Sequence, residues 1–70
     1  MNEKLTYEEI VKSLKNRVEH CNKQIEFNRN RYLRTHAKTY QLINITVKYE
    51  RDAYISILKE MGEWEDEWHL

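Results

Sequence analysis

Proline is absent from this 70-residue chain, and glycine occurs once, at Gly62. A sheet built on tight turns needs both residues at its corners, so their scarcity argues for long uninterrupted helices. Cysteine also occurs once, at Cys21, which excludes an intrachain disulfide and points to a reducing compartment. No apolar run approaches the ~20 residues needed to span a bilayer, and the opening MNEKLTYEE has no apolar signal core. The expectation is a cytoplasmic protein with no membrane association.

Catalytic signatures are missing too. There is no Gly-rich phosphate loop, no G-x-S-x-G and no H-E-x-x-H. His20, Cys21, His36 and His69 are the only soft metal ligands. His20 and Cys21 are neighbours on a helix and point about 100° apart, so they do not chelate together. Cys21 reads more simply as a small core residue. A slender helical rod also lacks the usual concave pocket. The expectation is a non-enzyme with no catalytic residues, no metal and no cofactor.

Seventy residues make one domain. A chain of this size buries only about 60% of its unfolded surface, and with neither disulfide nor metal its extra support should come from a partner subunit.

What is present is helical pattern. Thr6 followed by Glu9 forms a capping box, Leu5 and Ile10 take the places of a hydrophobic staple, and Glu8 and Glu9 suit the positive end of a helix dipole. A heptad seam then runs Tyr7, Val11, Leu14, Val18, Cys21, Ile25, Asn28, Tyr32. A second runs Tyr40, Ile43, Val47, Glu50, Tyr54, Ile57, Met61, Trp64, Trp68, widened by Ala53, Ile55 and Leu58. The two seams are out of phase, with a slip near residues 33–39. A stutter in one helix or a turn between two would explain it. The turn is preferred, because one continuous amphipathic helix would expose its whole stripe. The predicted architecture is all-α: a two-helix antiparallel hairpin, coiled-coil-like, pairing into a dimeric four-helix bundle.

The expected limits of this single domain, residues 1–70, are helix 1 over about 6–30, a connection within 29–38, helix 2 over about 38–61 and an acidic tail 62–70. Asn28 or Asn30 is a candidate end for helix 1, and Thr35 or Thr39 a candidate cap for helix 2. Gly62 has the character of a residue just past a helix C-terminus, yet Trp64 and Trp68 continue the seam through it.

The formal net charge is zero but unevenly laid out. Residues 12–38 carry eight Lys and Arg against Glu19 and Glu26, while residues 39–70 carry three against seven acids. A hairpin would therefore be basic at its turn and acidic at its open end. Helix-dipole complementation explains the layout of helix 1 but not of helix 2.

Two candidate surfaces follow. Glu63, Trp64, Glu65, Asp66, Glu67 and Trp68 form an acidic aromatic element, readable as packing at the open end or as a protein-binding element. Arg29, Arg31, Tyr32, Arg34 and Lys38 mix bases with an aromatic, as nucleic-acid surfaces and ordinary helix ends both do. Asn28 and Glu50 interrupt the seams, either at exposed stretches or as register-setting polar residues.

Asn, Lys, Ile and Tyr make up 24 of the 70 residues, and all have AT-rich codons, which suggests a low-GC bacterium, its phage or a mobile element. The leading expectation is a small regulator or inhibitor that binds a host protein through a helical face or the acidic Trp-rich end. Homodimerisation is expected. The alternative is nucleic-acid binding through the basic tip.

Overall fold

The computed structural model describes residues 6–65. Two helices, α1 over Tyr7–Thr35 and α2 over Lys38–Glu60, fold back on one another as an antiparallel hairpin. No strand occurs among the described residues.

α1 starts where its capping signals place it. The Glu9 amide donates to Thr6 Oγ1 at 3.1 Å, and the Thr6 amide donates to Glu9 Oε1 at 2.9 Å. Two of the orphan amides of the first turn are thereby satisfied. Leu5, the expected staple partner of Ile10, lies outside the described residues. α1 runs past Asn28 and Asn30 as far as Thr35, and the connection is only His36 and Ala37. His36 adopts the left-handed conformation at φ 59°, and its amide donates to the Tyr32 carbonyl. The hydroxyl of Thr35 donates back to the Arg31 carbonyl and accepts from the Ala37 amide, so it serves the end of α1. α2 begins at Ala37 without any side-chain cap, and neither Thr35 nor Thr39 supplies one.

α2 ends at Glu60, with Met61 as its C-cap and Gly62 just past it. The Gly62 amide donates to the Lys59 carbonyl and the Glu63 amide to the Leu58 carbonyl, the paired bonds of a Schellman closure. Gly62 holds φ 73°, which a residue without Cβ adopts at no steric cost.

The seam of α1 is placed as expected beyond its first residue: Tyr7 is exposed, but Val11, Val18, Cys21 and Asn28 are buried, and Leu14, Ile25 and Tyr32 are half-buried. The seam of α2 differs. Tyr40, Val47, Tyr54 and Met61 face α1, but Asn44, Arg51 and Leu58 occupy the alternate positions in place of Ile43, Glu50 and Ile57. Ile43 and Ile57 are 41% and 47% exposed, and Glu50 is exposed. The reason lies at the tip half of the hairpin. Buried Asn28 donates through Nδ2 to Asn44 Oδ1 at 3.1 Å, and Asn44 Nδ2 donates to the Ile25 carbonyl at 3.0 Å. An unpaired buried amide costs ~1–3 kcal/mol, so α2 turns its one well-placed amide toward Asn28. That rotation carries Leu58 into the core, where it is fully buried against Val11 and Val18.

Candidate interaction surfaces

The described residues present three surfaces of interest: the open end, the tip and the outer face of α2.

At the open end, residues 63–65 fold back toward the start of α1. The Tyr7 hydroxyl donates to Glu63 Oε2 at 2.9 Å, with the Met61 carbonyl at 3.2 Å as a second acceptor. The hydrogen bond to Glu63, partial burial and the Glu63 charge all raise the Tyr7 pKa above its usual 10.0. Trp64 packs on the Val11–Val18–Leu58 cluster. It does so after the helix has ended, not as a further step of a helical seam. Of the expected acidic aromatic element, Glu63 and Trp64 thus take part in closing the fold, and Glu65 is exposed. Asp66, Glu67 and Trp68 lie outside the described residues.

The tip gathers the expected bases. Arg31 sits over the rings of Phe27 at 5.4 Å and Tyr40 at 6.0 Å, a cation–π bracket between the helices. Tyr32 meets His36 edge-on at 5.9 Å between ring centroids. Arg29, Arg34 and Lys38 are exposed and make no ion pair among the described residues. A lateral groove of about 470 Å³ runs beside them, lined by Ile25, Arg29, Tyr32, Gln41, Asn44, Ile45 and Lys48. The rod is therefore not featureless, contrary to expectation. The groove is lined by two cations, two amides, a phenol and two aliphatics, with no carboxylate, thiol or imidazole.

Between the ends, two ties flank the core. Arg17 Nη1 donates to Tyr54 Oη at 3.3 Å, and Tyr54 Oη donates to Glu50 Oε2 at 2.9 Å. Arg51 bridges Asn22 and Asp52. Cys21 is buried beneath them, and burial foremost, then Glu50, pushes its thiol pKa up, only partly offset by Arg51. A thiol so placed is a poor nucleophile. Among the described residues no group of His, Cys, Asp and Glu is arranged to hold a metal, and no helix is long and apolar enough to cross a membrane.

The third surface escaped the sequence reading. Leu42, Ile45 and Tyr49 are 64%, 52% and 73% exposed. At 100° per residue they share one stripe of α2, directly opposite the face that meets α1. Their spacing was visible in the sequence, but the second apolar stripe was hidden because α2 carries aliphatic residues at nearly every angle.

The chain matches no protein-family model, no curated protein and no solved structure. Its class rests on the geometry: an all-α helical hairpin that, among the described residues, exposes an apolar stripe on the outer face of α2.

Proposed function

We propose that the chain is a non-enzymatic interaction protein, a small regulator or inhibitor that binds a protein partner through the outer face of α2. The observation that carries this reading is the exposed stripe of Leu42, Ile45 and Tyr49. Apolar side chains aligned on one helical face fit a partner helix or groove. The high share of Asn, Lys, Ile and Tyr, whose codons are AT-rich, supports origin in a low-GC bacterium or its phage or mobile element. The acidic end is the lesser surface in this reading, since Glu63 and Trp64 already have roles within the fold. Affinity capture from a low-GC bacterial lysate tests the assignment. The double variant Ile45→Glu/Tyr49→Glu should lose proteins that the parent chain retains, while Glu63→Lys/Glu65→Lys should keep them. Identical capture by parent and face variant would remove the reading.

A second reading draws on Arg29, Arg34 and Lys38 at the tip, exposed cations with no ion pair among the described residues. They suit phosphate contacts, and affinity for duplex or single-stranded probes should then fall steeply with salt. Absence of binding at about 50 mM salt contradicts it.

A further inference from the structure

The outer stripe of α2 extends beyond its three apolar residues. Read along the helix it runs Lys38, Leu42, Ile45, Tyr49, Ala53, Ser56, Glu60, all exposed. At 100° per residue these seven fall within about 80° of arc, and the stripe is nearly straight. Its steps are 4, 3, 4 up to Tyr49 and 4, 3, 4 after it. The spacing is palindromic about Tyr49.

The chemistry is complementary across the same centre. Lys38 mirrors Glu60, Leu42 mirrors Ser56, Ile45 mirrors Ala53, and Tyr49 mirrors itself. A two-fold interface requires such self-complementarity, because each residue meets the mirror position of the other copy. Large side chains would meet small ones and a cation would meet an anion. Neither Lys38 nor Glu60 forms an ion pair within the described chain. A parallel in-register pairing would instead set Lys38 against Lys38 and Glu60 against Glu60.

We infer that the occupant of this face is a second copy of the chain, with its α2 lying antiparallel and Tyr49 on the two-fold axis. This rests on the outer face being the working surface, and it names the partner. Lys38 then lies against Glu60 of the partner subunit. Since the stripe faces directly away from α1, the four helices form a row with the two α2 helices at its centre, not a square bundle. The basic tip of each hairpin lies beside the acidic open end of the other. α2 has 23 residues, about 35 Å of helix. A contact between two such helices falls at the small end of specific interfaces, so the dimer is concentration-dependent.

Sedimentation of the full chain over about 1–500 µM, combined with cysteine cross-linking, tests the proposal. The mass should rise from 8.7 kDa toward twice that value. Tyr49→Glu should remain monomeric with unchanged helical content by circular dichroism. Oxidation by copper–phenanthroline in air should link Tyr49→Cys into a covalent dimer, because only the axial position meets its own copy within disulfide reach. Leu42→Cys should not link, since the two Leu42 positions lie about 21 Å apart in this register. Lys38→Glu and Glu60→Lys should each weaken self-association severalfold, and an equimolar mixture of the two should recover it. A parent chain that stays at 8.7 kDa throughout overturns the inference. So does an association that Tyr49→Glu leaves unchanged, or linking of Leu42→Cys as readily as Tyr49→Cys. If the chain is monomeric yet Tyr49→Glu still loses a captured protein, the second copy is excluded and the outer face stands as the working surface.

Discussion

The two halves of the hairpin are built on different principles. The open half holds the apolar core of Val11, Val18 and Leu58, with Leu14, Ile55, Met61 and Trp64 packed around it. It also carries the capping box at Thr6, the Schellman closure at Gly62 and the hydrogen bond from Tyr7 to Glu63. The tip half has an amide pair, Asn28–Asn44, at its centre and starts α2 with no side-chain cap. Four of its larger aliphatics, Leu33, Leu42, Ile43 and Ile45, are exposed, and Ile25 is half-buried. Apolar burial stabilises without fixing a unique register, whereas a buried hydrogen-bonded amide pair contributes little net energy but penalises every misalignment. The open half therefore supplies most of the stability and the tip half the specificity.

The largest break in this contrast should come from Leu58→Ala. The side chain is fully buried, and its loss should cost about 3 kcal/mol by chemical denaturation. At the tip, Asn28→Ala should cost about 1–3 kcal/mol by leaving the Asn44 amide short of a partner. Replacing both, Asn28→Leu with Asn44→Leu, should restore or raise stability while broadening amide resonances near the turn, as more than one register becomes populated. Sharp single resonances in the double variant would remove the register role. Smaller effects belong to the closures of the open half. Gly62→Ala should cost about 1 kcal/mol, from the left-handed backbone alone, since an added Cβ meets no neighbouring atom. Thr6→Ala should cost about 1 kcal/mol through loss of the capping box, read from the same denaturation curves.

The smallest effect is a pH dependence. Tyr7 must be protonated to donate to Glu63, and its pKa in the folded chain is raised. Its contribution is therefore complete below pH 10.0, the ordinary tyrosine value, and is lost as pH rises through the higher folded value. Denaturation midpoints between pH 8 and 11 should fall more for the parent chain than for Tyr7→Phe. Equal slopes would mean that this hydrogen bond does not hold the open end.

How far the fold was legible follows the same division. Thr6 and Glu9 announce their roles because capping is local chemistry, complete within a few residues, whereas Gly62 signalled a helix end that the in-phase Trp64 and Trp68 argued against. The seam of α1 was legible because its polar and apolar faces are distinct. The phase of α2 was not. Ile43, Ile57, Ile45 and Leu42 compete with Val47 and Leu58 for the inner face, and periodicity alone does not choose among them. The choice is made across the hairpin, where Asn28 requires Asn44 opposite it. Asn28 at a seam position of α1 and Asn44, the one asparagine of α2, were the available signal. The acidic aromatic end was half legible: Trp64 does pack at the open end, but after a turn that ends the helix.

The division of labour between the halves is tested most directly by amide hydrogen exchange in the Ile45→Glu variant, whose outer α2 face no apolar partner can cover. Residues 14–21 and 54–58 should exchange slowest, at the rate of global unfolding, while residues 31–35 and 40–44 should exchange faster through local opening of the tip. Uniform protection along both helices, or slowest exchange at the tip, would contradict the claim that the open half holds the hairpin together.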